Sequence, residues 1–231
     1  MKIRKTFWVL VFITLICAGC DDDTRGLKFN EDGTDSDSDN GGDTSNNTRA
    51  ELVGDIERSG NYVLEMTDGT DTILFECTAA QGGLITKAAF NGKNILAEGV
   101  SMNGSTFWLA PQSAWGWPPP AFLDKNDFTP SVEHSSSTII LTSAADPSYN
   151  IQVIKKFSPD LSHFAIVLEY SIVNTGSAPV SYAPWEISRV LPGGITFFPS
   201  GSEVNSVDMT QMTVSDINGV TWFDHTTDLS G

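Results

Sequence analysis

The residues best suited to chemistry lie in two segments rich in tryptophan and proline, of which the first spans residues 107–120 and holds three of the six tryptophans. Its run of three prolines cannot pair inside a sheet, so Trp115 and Trp117 are predicted on a stiff loop. Flat aromatic rings beside amide and carboxylate groups suit sugars, and Gln112 and Asp124 are candidate hydrogen-bonding partners. The competing interpretation is a loop folded over the sheet, with its tryptophans buried in a satellite core.

The second segment, residues 182–194, contains the only candidate catalytic side chain. Glu186 is flanked by apolar residues and is a candidate acid or base, while a structural carboxylate paired to a cation is the alternative. In an extended strand Glu186 and Arg189 lie on opposite faces, so their pairing would need a bulge or a bend. Together with Trp108 of the first segment, Trp185 and Arg189 complete the predicted sugar-binding residues.

The histidines and cysteines argue against other chemistries. The three histidines show no metal-ligand spacing, so neither a metal nor another cofactor is expected. His134 lies in a Ser-rich turn and His163 at the start of a strand, which favours surface or capping roles. Cys77 shares a strand face with Ile73 and Phe75, so we predict a buried small hydrophobic residue rather than a nucleophile.

A framework of strands is predicted to position these residues. Large apolar residues recur at every second position over 164–172, which is typical of a strand with one buried face. Shorter strands are predicted at 73–77, 138–141, 151–154 and 195–198. Asp68-Gly69 and Asn91-Gly92 predict hairpin turns, because both dipeptides tolerate positive φ. These signals together predict an antiparallel all-β domain of sandwich type.

The first residues predict export. Three basic residues within the first five precede an apolar run over 7–16, which is too short to cross a membrane and is typical of a signal peptide. The sequence Cys-Ala-Gly-Cys at 17–20 resembles a lipobox. Residues 1–19 are therefore interpreted as a signal peptide, and Cys20 as the lipidated residue that tethers the protein to a membrane of the bacterial cell envelope. Ordinary secretion with a free Cys20 is the alternative.

The chain after Cys20 is strongly acidic and polar. The net charge of −16, from 29 acidic and 13 basic residues, argues against nucleic acid as a partner. Between residues 21 and 47 the chain is almost entirely Asp, Ser, Gly, Thr and Asn, so residues 20–52 are predicted to be a disordered acidic linker and 53–231 the folded domain. The acidic residues 21–23 are interpreted either as a sorting signal or as simple solvation.

Several motifs resemble those of galactose mutarotase-like proteins. Residues 86–96 resemble the early hairpin of these proteins, and residues 107–120 are similar in position to their proline-rich substrate loop. Residues 174–190 resemble the Asn-rich turn and the strand that precede a catalytic histidine. The Ala-Pro-Gln and Ala-Pro-Trp-Glu patterns are similar to those of an uncharacterised domain-of-unknown-function family within that superfamily. The resemblance covers roughly residues 60 to 200. It implies a mutarotase-like supersandwich and a sugar or glycan ligand.

The resemblance also raises aldose 1-epimerase chemistry, which needs two acid/base groups flanking the sugar. Where such an enzyme has a histidine this chain has Trp185-Glu186, so Glu186 is the one candidate member of the pair. A full domain of this kind is longer and carries a catalytic carboxylate near its end, so the sandwich is expected to be C-terminally incomplete or completed differently. Three hypotheses remain open: an epimerase-like isomerase, a non-catalytic carbohydrate-binding module, and an envelope lipoprotein that binds another protein.

Overall fold

The computed structural model describes five stretches of the chain, residues 4–9, 50–99, 103–190, 193–199 and 214–224. Nearly all regular structure within them is β-strand, which confirms the all-β prediction. Two four-residue helical segments interrupt the strands, α1 (Ala80–Gly83) and α2 (Ala121–Asp124). No helix in these stretches is long and apolar enough to cross a membrane. Cys20 and the predicted linker up to residue 49 lie outside the described residues.

Sixteen strands are described in chain order. They are β1 (Arg4–Val9), β2 (Glu51–Leu52), β3 (Glu57–Arg58), β4 (Asn61–Thr67), β5 (Thr72–Cys77), β6 (Ile85–Phe90), β7 (Lys93–Asn94), β8 (Ser105–Ala110), β9 (Thr129–Glu133), β10 (Thr138–Thr142), β11 (Ile151–Asp160), β12 (Ala165–Asn174), β13 (Ala183–Ser188), β14 (Ile195–Pro199), β15 (Val214–Ile217) and β16 (Val220–Asp224).

The strands form three antiparallel sheets. The five-stranded sheet has the order β1-β12-β11-β10-β9, and the three-stranded sheet the order β14-β16-β15. The eight-stranded sheet has the order β13-β8-β6-β5-β4-β2, with β3 beside β4 and β7 beside β6. Strand β1 lies within the predicted signal peptide and pairs with β12, with Phe7 opposite Tyr170. Removal of residues 1–19 would therefore leave β12 at the edge of its sheet.

The core lies between the five-stranded and eight-stranded sheets. On β12 the alternate residues Ile166, Leu168, Tyr170 and Ile172 are buried, which confirms the predicted buried face. Aromatic rings meet across the interface, because the ring centres of Tyr170 and Phe107 are 4.9 Å apart. Burial of apolar surface on both facing sheets stabilises the sandwich.

Both predicted hairpin turns are confirmed. Asp68-Gly69 connects β4 with β5, and the Asp68 carboxylate accepts hydrogen bonds from the backbone N–H groups of Thr70 and Asp71. Asn91-Gly92 connects β6 with β7, with φ values of 48° and 76°. Consecutive positive φ values give the two-residue loop the twist that matches its strands.

Several boundaries differ from the predicted ones. Strand β11 continues to Asp160, six residues beyond the predicted end, because its alternation passes through the polar residue Lys155 without losing the buried face. Phe164 has a φ of 49° in the turn before β12, so that strand begins one residue later than predicted. Strand β2 begins at Glu51 and pairs with β4, two residues before the predicted start of the domain.

Candidate functional site

Strands β8 and β13 carry most of the predicted site residues. In their antiparallel register Trp185 lies opposite Trp108, and Glu186 lies opposite Phe107. Because neighbouring residues of a strand point to opposite faces, each strand contributes a tryptophan to one face and its neighbour to the other. Phe107 belongs to the core, so Trp108 and Trp185 occupy the face that points away from the core.

Four tryptophans contact one another on this outer face, and they are called here the tryptophan cluster. Trp108 is its centre, with ring centres of Trp185, Trp115 and Trp117 at 5.6, 5.8 and 5.9 Å. All three rings meet Trp108 edge to face, which is a favourable geometry for aromatic pairs. The structure therefore brings together all four tryptophans that were selected from the sequence.

A cleft of about 560 Å³ opens beside the cluster. Its walls come from α1, the chain before β8, β8 itself, α2 and the residue after β13. The loop between β8 and α2, residues 111–120, completes the wall and is called here the proline loop. The polar residues that line it are Gln81, Asn103, Thr106, Asp124, Lys125 and Arg189, and the apolar ones are Leu84, Trp108, Trp117, Pro118 and Pro119. An aromatic wall beside converging polar groups is typical of a small-molecule site.

Two predicted charged residues hold Trp108 in place. The indole Nε1 donates a hydrogen bond of 2.9 Å to Asp124 Oδ1. The Arg189 guanidinium lies over the Trp108 ring, 5.7 Å from its centre, and donates to Thr106 Oγ1 at 3.1 Å. Burial lowers the pKa of Arg189, and the nearby Asp124 carboxylate opposes that shift. Asp124 and Arg189 are therefore held in position by these contacts, and both also line the cleft.

The proline loop displays one tryptophan and buries part of another, so each of the two interpretations of the sequence applies to one of them. Trp117 is displayed, with 67 % of its surface exposed. Trp115 is folded down, partly buried against the core, and its Nε1 donates to the carbonyl of Leu109 at 2.7 Å. Gln112 lies in a short 3-10 turn, exposed and outside the cleft lining. The structure thus separates Gln112 from the residues with which it was grouped.

Glu186 faces the core rather than the cleft. Its Oε1 accepts a hydrogen bond of 2.6 Å from the Ser105 hydroxyl, which in turn contacts the Ser188 hydroxyl at 2.7 Å. Glu186 therefore does not lie beside the predicted sugar-binding residues, where a catalytic acid or base would have to be. The physical reason is the strand register, since pairing with Phe107 turns Glu186 to the opposite face from Trp185.

The core-facing side of β8 and β13 holds a polar group of its own. Glu186 Oε2 and the Tyr170 hydroxyl are buried, and neither makes a hydrogen bond of standard geometry with another described residue. Burial raises the pKa of Tyr170, and the negative charge of Glu186 raises it further. A buried carboxylate and a buried phenol therefore face each other inside an otherwise apolar core.

Lys155 is the third member of this buried group, and it was not among the residues selected from the sequence. Its side chain is fully buried, and Nζ donates a hydrogen bond of 3.0 Å to the carbonyl of Gly83. The ammonium lies 5.4–5.9 Å from the ring centres of Phe128, Phe107 and Tyr170. Burial lowers the pKa of Lys155 to about 8, while nearby negative charge, chiefly that of Glu186, opposes the shift.

A signal for Lys155 was present in the sequence. The residues Ile151, Val153, Lys155 and Phe157 occupy alternate positions, so a strand that buries the others must also bury the lysine. The remaining cleft residues, such as Gln81 and Asn103, carry no comparable pattern.

His134, His163 and Cys77 lie where the sequence predicted, and His225 lies outside the described residues. His134 is exposed in the turn between β9 and β10. His163 is exposed and pairs with Asp160 at 2.8 Å. Hydrogen bonds from Ser162 and then His163 lower the pKa of Asp160 to about 2. Cys77 is fully buried in the core. In the described stretches no three His, Cys, Asp or Glu side chains are arranged to hold a metal ion.

Comparison of the chain with protein-family models, with curated proteins and with solved structures finds no match. The resemblance to galactose mutarotase-like proteins therefore stays a prediction.

Proposed function

We propose that the cleft beside the tryptophan cluster is a carbohydrate-binding site and that the protein recognises a saccharide without converting it. The observation that carries this proposal is the exposed ring of Trp117, held edge to face against Trp108 beside Asp124 and Arg189. Sugars combine an apolar C–H face with a rim of hydroxyl groups, and this cleft offers a partner to each.

The aromatic wall supplies the apolar part of the interaction. Trp117 is exposed on a loop stiffened by Pro118 and Pro119, which also line the cleft. A preorganised ring loses little conformational freedom when a ligand stacks on it. Proline therefore supports binding by keeping the ring in place before the ligand arrives.

The polar wall supplies donors and acceptors for hydroxyl groups. Asp124 Oδ1 already accepts from Trp108, which leaves Oδ2 to accept from a ligand. The Arg189 guanidinium has five N–H donors, of which those on Nη1 contact protein oxygens. Gln81 and Asn103 add amide groups that can donate and accept. Such a mixture suits vicinal hydroxyls better than a purely charged ligand.

Binding is favoured over epimerase chemistry by the position of Glu186. Mutarotation needs an acid and a base on either side of the ring, within hydrogen-bonding reach. Glu186 is the one acid/base candidate that the sequence offered, and it lies on the opposite face of the sheet from the cleft. A sugar stacked on Trp117 would be separated from it by the backbone of β8 and β13.

In this proposal the chain is exported, lipidated on Cys20 and held at a membrane surface by the acidic linker. The basic start, the short apolar run and the lipobox-like Cys-Ala-Gly-Cys support it. A long polar tether would let the cleft reach glycans at some distance from the membrane. The cleft proposal and the lipid-anchor proposal are independent and can fail separately.

The binding experiment is a glycan array followed by isothermal titration calorimetry with the retained saccharides. Trp117→Ala is expected to weaken binding by about 1–3 kcal/mol, because an exposed aromatic ring acts as an anchor. Gln112→Ala is the matched control, since Gln112 is on the same loop but outside the cleft. A silent array with a folded protein would favour a protein partner instead, and equal losses in both variants would contradict the placement of the site.

The anchor experiment uses metabolic labelling with an alkyne fatty acid. Wild-type protein is expected to incorporate the label and to sediment with membranes, whereas Cys20→Ala should lose the label and become soluble. Cys77→Ala is the control, because Cys77 is buried in the core. Membrane association of Cys20→Ala without label would rule out the lipid anchor.

A further inference from the structure

Lys155 joins the far sheet to one wall of the cleft. It projects from β11 of the five-stranded sheet, and its Nζ bonds the carbonyl of Gly83 in α1, on the other side of the core. Its side chain is fully buried. An ammonium group is costly to bury in such surroundings. We therefore expect Lys155 to fix the position of the Gly83 carbonyl that it contacts.

The group that it contacts has an unusual backbone. Gln81, Gly82 and Gly83 have successive φ values of 53°, 71° and 67°, in the left-handed region that a residue with a Cβ atom rarely adopts. The segment is also pressed against α2, because a Cβ atom on Gly82 would lie 1.8 Å from the carbonyl oxygen of Leu123. Such a backbone needs external contacts to hold it.

Contacts on both sides of the segment provide that support. The Gly82 N–H donates to the carbonyl of Asn126 at 2.8 Å, just after α2, and Lys155 binds the Gly83 carbonyl from the core. On the solvent side, Gln81 and Leu84 line the cleft. The orientation of Gln81 in the cleft therefore depends on a segment that is fixed from behind by Lys155.

We infer that Lys155 is a positioning residue, which fixes the 80–83 segment from the core and thereby sets the geometry and affinity of the cleft. This inference rests on the proposed function for its binding consequence, although its structural part does not. Lys155 contacts no ligand in this scheme, and it acts through Gln81 and Leu84.

The charge of Lys155 makes the cleft sensitive to pH above neutrality. A charge-assisted hydrogen bond is roughly twice as strong as a neutral one, so loss of the proton loosens the hold on Gly83. Lys155 loses its proton as the pH rises through about 8. Four titratable groups lie near it: Glu186 on β13, Cys77 on β5, Tyr170 on β12 and, on the cleft side, Asp124 on α2.

Two of those neighbours do not change charge in the same pH range. Burial raises the pKa of Cys77 to about 12, and burial together with Glu186 raises that of Tyr170 above its ordinary value. A transition of the 80–83 segment near pH 8 therefore reports on Lys155.

The test is hydrogen–deuterium exchange of peptides covering residues 80–84, with β10 as an internal reference. Lys155→Met keeps an unbranched side chain but removes the donor, and Lys156→Met is the matched control, because Lys156 is the next residue on the same strand but points away from the core. Exchange at 80–84 is expected to rise in Lys155→Met alone, with β10 unchanged. In wild-type protein it should also rise from pH 7 to pH 9 after correction for intrinsic rates.

Binding is measured on the same proteins with D-galactose and D-glucose as probes. If the segment holds its binding geometry in about one-tenth of Lys155→Met molecules, affinity falls about tenfold, whereas Lys156→Met should match wild type. Unchanged exchange at 80–84 in Lys155→Met and across the pH series would overturn the inference. If neither sugar binds wild type, these sugars cannot measure affinity, but the exchange comparison still tests whether Lys155 fixes the 80–83 segment. The wild-type pH series also decides if Lys155→Met does not fold.

Discussion

The two faces of the β8–β13 pair differ in how far the polar groups beside them are exposed to solvent. On the outer face, Asp124 and Arg189 surround tryptophan rings at an open cleft. On the inner face, the Lys155 side chain of β11 is fully buried, and one carboxylate oxygen of Glu186 is buried as well. The pair of strands thus borders an open cleft with charged walls on one side and buried polar groups on the other.

The face of the strand on which a carboxylate lies, and not its residue type alone, decides whether it can contact a ligand in the cleft. Glu186 and Trp185 are adjacent in sequence, yet only Trp185 belongs to the tryptophan cluster. A sequence motif that joins them as one site overlooks the alternation of strand side chains. Substitutions on the two faces are therefore expected to affect different properties.

The largest expected effect is on stability, from the inner face. Phe107→Ala should lower the free energy of unfolding by about 3–5 kcal/mol, because it leaves a cavity in the core and removes a ring beside Lys155. Trp117→Ala on the outer face should cost less than about 1 kcal/mol. Urea unfolding of both variants measures the contrast, and a cost for Trp117→Ala equal to that of Phe107→Ala would break it.

A smaller effect is expected on the pH dependence of stability. The pKa of Lys155 is about 8 in the folded protein and 10.5 for an ordinary lysine, so the unfolded chain binds more protons between these values. The global stability contributed at this site therefore rises with pH through that window, because a buried charge is removed, even though the local hydrogen bond to Gly83 weakens. Relative to Lys155→Met, wild-type protein should gain about 1 kcal/mol between pH 7 and pH 9.

Wild type and Lys155→Met differ only at residue 155, so the difference between their stability curves reports on that residue. The Cys77 thiol, with a pKa that burial raises to about 12, acts in the opposite direction above pH 9, but it is present in both and largely cancels. Parallel stability curves for wild type and Lys155→Met would show that the lysine is not a buried cation.

The smallest expected effect is that of Glu186→Gln on the cleft. At pH 6, where Lys155 keeps its proton, sugar affinity should change by less than about twofold, because Glu186 contacts the core and not the ligand. The optical rotation of fresh α-glucose or α-galactose should relax equally fast with wild type and variant. Faster relaxation with wild type that disappears in Glu186→Gln would assign Glu186 a catalytic role after all.

Much of the fold could be predicted because alternation and turn chemistry are local signals. The buried face of β12 and the Asn91-Gly92 turn both follow from residues within one segment. The same locality explains the correct prediction for Cys77, which shares its face with Phe75. The all-β class was therefore accessible from the sequence.

The site could be predicted only in part, because it depends on contacts between distant segments. Trp108 and Trp185 were selected for their type, but their pairing and the opposite orientation of Glu186 depend on the register of β13 with β8. Gly82-Gly83 is a local signal for the left-handed turn at Gln81, but it does not predict that the turn forms a wall of the cleft. Lys155 was missed although its alternation with Val153 predicted burial.

Saturation-transfer difference NMR shows which sugar protons lie against the protein, so it tests whether a sugar stacks on Trp117. With a saccharide retained on the glycan array, the strongest transfer is expected at ring C–H protons on one face of the sugar. That transfer should be largely lost in Trp117→Ala and retained in Gln112→Ala. Equal transfer in wild type and Trp117→Ala would contradict a sugar stacked on the exposed tryptophan of the cleft.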